Sequence, residues 1–179
     1  MANKEALREL QKRLADRLQL ARSQPRAAAW LAVECRGHGL LFPLQQAGEI
    51  FSLVPLLPVP HTRPWFSGVA NLRGGLHGVV DLGLFLGVAA EPASRAAEGA
   101  REQGRLIAFN PALGLNCALL VDRLAGLRSD EQLTAEADDT SAARPPFAGA
   151  RWRDADGRPW QEILLSALAE DEQFLGIAA

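Results

Sequence analysis

The chain has no tyrosine, one methionine and two cysteines among 179 residues, and only 6% of it is aromatic. Each scarcity removes a class of protein. Seven Phe and four Trp leave few flat side chains on which nucleic-acid bases could stack. Positive charge is not in excess either. Nineteen basic against 21 acidic side chains give a net charge of −2, so no global basic field draws in nucleic acid or anionic lipid. Long apolar runs are missing. Residues 50–62 are broken by Pro55, Pro58 and Pro60, and residues 74–90 by Asp81, so neither supplies the ~20 unbroken apolar residues of a membrane span. No direct membrane insertion is expected.

Reactive groups are equally sparse. Cys35 and Cys117 stand far apart in apolar runs, where a free thiol behaves as a small hydrophobe. A chain of this size needs no disulfide staple, and the first twenty residues lack the apolar stretch of a signal peptide. The reading is a reduced, cytoplasmic protein. His38, His61 and His77 are scattered, and His77 and Asp81, four apart on a strand, sit too far along it for a direct hydrogen bond. No His/Cys spacing suits zinc, no Walker lysine follows a glycine run, and no Gly-x-Ser-x-Gly occurs. Neither catalysis nor a metal nor a cofactor is expected.

What is present is the composition of a globular domain, 48% hydrophobic and 22% charged. Residues 3–22 read as a helix: Leu7, Leu10, Leu14, Leu18 and Ala21 recur at helical spacing, Asn3 is a candidate N-cap and Pro25 ends the pattern. The opposite face is charged, and residues 1–26 hold seven basic and three acidic side chains. From Ala29 the period changes from 3.6 to 2, with Gly, Pro, Asn and Asp at short intervals, the mark of an all-β barrel or sandwich. Strands are expected at 30–35, 40–44, 69–73, 76–82, 106–109 and 115–121. Another hairpin is expected across Asp154-Ala-Asp-Gly157, then a short helix from about Leu164 and a tail at 173–179. Residues 88–104 are small, polar and unpatterned, a connector between halves at about 27–90 and 103–172.

The halves echo each other. Leu31-Ala-Val33 matches Ile107-Ala-Phe109, and Phe66-Ser-Gly-Val69 matches Phe147-Ala-Gly-Ala150, in the same order. Such a repeat implies two similar small barrels sharing a core between them. Between 69–73 and 76–82 lies Gly74-Gly75, two glycines that can both take φ > 0, as a tight hairpin requires. Alternation puts Val69, Asn71 and Arg73 on one face with Leu76, Gly78 and Val80 opposite them. Arg73 stands beside the turn, placed either for an ion pair with Glu49 or Asp81 or for a bidentate contact with a partner.

The run Phe66-Ser-Gly-Val-Ala-Asn-Leu-Arg-Gly-Gly-Leu-His-Gly-Val-Val-Asp-Leu82 resembles the signature hairpin of the CheW-like domain. Trp30-Leu-Ala-Val33, Gly48-Glu-Ile50, Leu106-Ile-Ala-Phe109 and Ala118-Leu-Leu-Val-Asp122 extend the resemblance over residues 27–172, leaving 1–26 as an added helix. The version running from Pro60 through His61 to Gly74 is most similar to the adaptor of the type IV pilus (twitching motility) chemosensory system, rather than the flagellar one. The resemblance implies a mainly β fold of two intertwined five-stranded SH3-like barrels and a non-catalytic role without cofactors. It implies two partners: the regulatory domain of a CheA-type histidine kinase and the cytoplasmic tip of a methyl-accepting chemoreceptor, at membrane-associated receptor arrays. Carried over by position, Arg73 and Glu49 are the polar residues expected near the receptor-facing surface, with Asn71 in the hairpin core motif as a further partner-binding candidate. The resemblance also implies a groove between the barrels that holds the receptor tip, with Ile50, Val69 and Val121 as the apolar candidates around it. Asp81 is implied to be structural. A stand-alone peptide or nucleic-acid binder would need a basic, aromatic groove, which the sequence lacks.

Overall fold

The structure is a computed structural model; it describes residues 29–89, 104–137 and 144–179. The expected N-terminal helix and most of the expected connector lie outside the described residues. Eleven strands run through the described chain: β1 Ala29–Cys35, β2 His38–Pro43, β3 Ala47–Ser52, β4 Phe66–Leu72, β5 Gly75–Asp81, β6 Arg105–Phe109, β7 Cys117–Val121, β8 Arg123–Ser129, β9 Leu133–Ala135, β10 Ala148–Asp154 and β11 Pro159–Ile163. Short helical turns follow at Leu82–Phe85, Leu165–Leu168 and Glu172–Leu175. The fold is mainly β, as the residue pattern indicates.

Two sheets form, in the orders β8-β1-β2-β11-β10-β9 and β3-β6-β7-β5-β4. The first five strands of one and the five of the other are the same pattern with the halves exchanged, including one parallel pair in each, β2 with β11 and β5 with β7. β1 corresponds to β6 and β4 to β10, the pairs the sequence echo matched. Each half therefore donates its first two strands to the sheet of the other, which intertwines them.

Both sheets must curl. β8 and β9 lie at opposite edges of six strands yet are joined by the three residues Asp130–Gln132. Six flat strands would span roughly 24 Å at ~4.8 Å each, more than the ~14 Å that such a link can reach. In the second sheet the chain leaves β3 at one edge, and Leu57, five residues on, bridges to Val69 on β4 at the other edge.

Closure gives three clusters. Trp30, Ala32, Leu41, Leu133 and Trp160 fill the first barrel, and Ala70, Leu72, Val79, Leu106 and Ala118 fill the second. The largest cluster lies between the barrels and takes Leu31, Val33, Leu40 and Phe42 from β1 and β2 with Ile107, Phe109, Leu119 and Val121 from β6 and β7. Strands β1, β2, β6 and β7 are thus buried on both faces, which is why their sequences read as continuous apolar runs. Phe174, in the segment expected to be a tail, is 2% exposed in this shared core, stacked on Phe109 and Trp65. Ala178 bridges to Thr62, so the terminal residues are pinned. They are not a loose tail.

Candidate functional site

The β4–β5 hairpin is closed by a two-residue loop, because Leu72 pairs with Gly75. Arg73 and Gly74 are the loop, with φ of 49° and 84°. Both signs are positive, as a turn matching the strand twist requires. The expectation that Gly74 and Gly75 form the turn is therefore corrected by one residue. Gly75 opens β5, and a non-glycine residue, Arg73, holds a left-handed conformation that costs an L-residue roughly 1–2 kcal/mol. The loop is braced from within: the side-chain oxygen of Asn71 accepts a hydrogen bond from the Gly74 N–H at 2.8 Å.

β3 presents its acid through a bulge. Ala47 pairs with Phe109 and Ile50 with Ile107, so Gly48 and Glu49 together oppose one residue of β6. Gly48 is needed there, since a Cβ would lie 2.6 Å from the Phe109 carbonyl oxygen. Curling of the sheet carries Glu49 to the hairpin loop, where Glu49 Oε1 meets Arg73 Nη2 at 2.6 Å. Of the two intramolecular partners considered for Arg73, the structure selects Glu49. Asp81 instead accepts from the Leu84 N–H at 2.9 Å, capping the Leu82–Phe85 turn, and lies 4.0 Å from the Arg36 guanidinium. Its role is structural. His77 Nδ1 lies 3.0 Å from the Gly75 carbonyl oxygen, so it does not pair with Asp81.

The Arg73–Glu49 pair sits in the open, its side chains 76% and 42% exposed. Ile50 beside it is 40% exposed. Asn71 pairs with Leu76, which is 65% exposed, and Val69, half-buried, pairs with Leu57, which is 69% exposed. Residues directly opposite on paired strands share a face. The outward face of the hairpin thus carries Leu57, Val69, Asn71 and Leu76. Sequence alternation put Val80 on this face too. It does lie there, but at the far end of β5, opposite Phe66, the other half covers that face and Val80 is buried in the shared core.

Five of the six expected partner residues, Arg73, Asn71, Glu49, Ile50 and Val69, therefore stand in or beside one surface region. Val121 does not. It is 1% exposed in the core between the barrels, because β7 is a central strand covered on both sides. Leu57 was not among the expected residues. Its proline-broken surroundings, residues 53–60, read as an edge or extended connection, and the bridge to β4 fits the edge reading, though nothing in the sequence names β4 as the strand it meets.

A second polar cluster is structural. Glu34, 6% exposed, accepts from Arg123 at 2.5 and 2.7 Å and from Arg158 at 2.5 Å. Burial opposes its ionisation, but the two guanidinium partners outweigh burial and hold its carboxyl below the usual range. Arg158 also lies over the Trp160 ring at 4.8 Å, tying β1, β8 and β11 together. Both cysteines are free and buried; burial pushes the Cys117 thiol up to about 12 and Cys35 higher still. They behave as the small hydrophobes the sequence suggested. Among the described residues no cluster of His, Cys, Asp and Glu could hold a metal ion, and no helix is long and apolar enough to cross a membrane.

Comparison with known proteins agrees with this architecture. The chain is 28% identical over 164 residues to Protein PilI of Pseudomonas aeruginosa, covering 89% of this chain and 86% of that one. The crystal structure of the scaffolding protein TtCheW from Thermoanaerobacter tengcongensis superposes with a TM-score of 0.60 at 18% identity. It covers 76% of this chain and 88% of TtCheW, a likeness of fold. The family model described as the CheW-like domain matches residues 29–173. The chain belongs to the CheW-like domain family of non-catalytic adaptors.

Proposed function

We propose that this chain couples the cytoplasmic tip of a methyl-accepting chemoreceptor to the regulatory domain of a CheA-type histidine kinase, in the chemosensory system controlling type IV pilus twitching motility. One observation carries the reading: an ion pair that could have been an internal brace is held outward on a strained loop, amid uncovered apolar side chains. Arg73 keeps a left-handed backbone and three-quarters of its side-chain surface in solvent. Leu57, Leu76 and Ile50 stay exposed around the same hairpin and bulge. Strain and exposed apolar surface both cost stability, and such costs concentrate where a protein meets a partner.

In this reading Arg73, Glu49, Asn71, Ile50 and Val69 form the partner-binding surface. The guanidinium supplies a planar donor fork for a carboxylate or carbonyl, and the apolar side chains supply the area to be desolvated. Similarity to Protein PilI and the Pro60 to Gly74 sequence support the pilus system over the flagellar one. The protein acts in the cytoplasm, at membrane-associated arrays, through its partners. The test is titration of the purified protein against a receptor-tip fragment and a kinase regulatory-domain fragment, separately and then together. Saturable binding of both, with a ternary complex, is expected. Failure to bind either fragment overturns the coupling role.

A further inference from the structure

The core between the barrels runs out one strand short of an edge. On one face of the six-stranded sheet, Phe42, Leu31 and Leu127 are direct partners in a row across β2, β1 and β8, and Leu40, Val33 and Leu124 form the next row. The inner members are buried, Phe42 and Val33 completely, whereas Leu127 is 59% and Leu124 36% exposed. The arginines of the same strand point the other way: Arg123 binds Glu34 and Arg128 lies over Trp160. Edge strand β8 therefore presents an apolar stripe, free of its own charges, that continues the shared core.

The chain itself delivers a cover to this place. Ala29, the first described residue, pairs with Ser129, the last residue of β8, so everything before it emerges at the end of that strand. Residues 3–22 carry the leucine stripe of Leu7, Leu10, Leu14 and Leu18, and residues 23–28 leave roughly 20 Å of connecting chain. Twenty residues in the helix that their sequence pattern predicts would be about 30 Å long, against roughly 23 Å for a seven-residue strand, enough to cover the whole stripe. Charge agrees. Residues 1–26 hold seven basic and three acidic side chains, and the remaining 12 basic and 18 acidic leave the rest of the chain negative. The exposed Asp130 and Glu131 directly follow Ser129. We infer that residues 3–22 dock in cis on the β8 stripe, seating their leucines on Leu124 and Leu127 and their basic side chains toward Asp130 and Glu131.

Thiol labelling of the full chain tests this, because both native cysteines are buried and stay silent. Leu57→Cys serves as the open-surface reference. Leu127→Cys is expected to react with a maleimide at least tenfold more slowly, and Leu10→Asp with Leu14→Asp in the same chain is expected to remove the difference. Equal rates at the two cysteines overturn the inference, as does slow labelling that the aspartates leave unchanged. Protection that fades on dilution, with a dimer mass in light scattering, overturns it in favour of a second copy as the cover. If the aspartates disturb folding, Leu14→Cys with Leu127→Cys decides: a short bis-maleimide is expected to bridge them within the monomer, and bridging only between chains refutes docking in cis.

Discussion

Reversing the charge at Arg73 separates a brace from a binding contact. In Arg73→Glu a carboxylate takes the place of the guanidinium that lies 2.6 Å from Glu49. With the two side chains 76% and 42% exposed, water screens the loss. Such pairs contribute about 0.2–1 kcal/mol, and the new repulsion is of similar size. The backbone adds nothing, since glutamate meets the same left-handed geometry as arginine. The domain thus loses about 1–2 kcal/mol at most, a fall in Tm of about 2–8 °C for this size. On the proposed reading, binding is expected to respond more strongly. Removing a charge-assisted contact and adding a like charge at an interface costs on the order of 2–5 kcal/mol, a weakening of about thirtyfold or more. The assay is calorimetric titration against receptor-tip and kinase fragments separately, with circular dichroism melts alongside. A charge swap, Glu49→Arg with Arg73→Glu, sharpens it: the swap should recover the melting temperature and leave binding weak. A folded Arg73→Glu that binds both fragments as wild type refutes the reasoning. So does a swap that restores affinity together with stability, which would reduce the pair to an internal brace.

The turn correction makes its own prediction. Gly74→Val forces a β-branched residue to φ 84° and should cost about 1–3 kcal/mol, whereas Gly75→Ala brings a Cβ 3.1 Å from the His77 ring edge, which can swing away, and should shift the melt far less. The reverse order in thermal melts would put the turn back on Gly75. Glu34 predicts acid sensitivity. Its folded pKa lies below the unfolded value near 4.3, so its contribution is complete above that pH and is lost as pH falls through the folded value. Melts from pH 7 to 3 should therefore steepen below about pH 4 in wild type and flatten in Glu34→Gln, and equal slopes would show that the Arg123–Glu34–Arg158 cluster contributes little. Finally, Cys35 and Cys117 should resist alkylation at pH 8 until denaturant unfolds the chain; labelling of the native protein on the time scale of an open thiol would contradict their burial.

Legibility from sequence followed burial. β1, β6 and β7 are covered on both faces, so their apolar runs declared them. β3 and β8 did not. Each is an edge strand carrying a bulge, between Ala47 and Ile50 on one and opposite Ala32 and Val33 on the other, and the extra residue destroys the alternation a reader looks for. Gly126, at φ 94°, breaks β8 further. The glycine pair was visible, but Leu-Arg-Gly-Gly-Leu admits two registers, and only the pairing of Leu72 with Gly75 chooses between them. Val121 is a different case: the family resemblance names it by position, and burial on a central strand places it in the core. Arg73 and Glu49 could be named from the motif, yet their contact depends on the curl of a whole sheet, which no local pattern encodes.

Exchange of strands between the halves has a mechanical consequence. The hairpin loop with Arg73 belongs to the barrel that also contains β6 and β7, while β1 and β2 from its own half lie in the other barrel. Neither barrel can open without breaking the sheet that contains the other half's first two strands. Displacement at the Arg73–Glu49 surface is therefore not absorbed by a hinge between independent units. It acts on a shared core in which Phe42 and Val33 from one barrel pack with Ile107 and Leu119 from the other. Close packing of that kind passes strain on and does not dissipate it in voids. A domain built this way holds the surfaces of its two barrels in fixed relative orientation, which is what the proposed coupling of two partners requires.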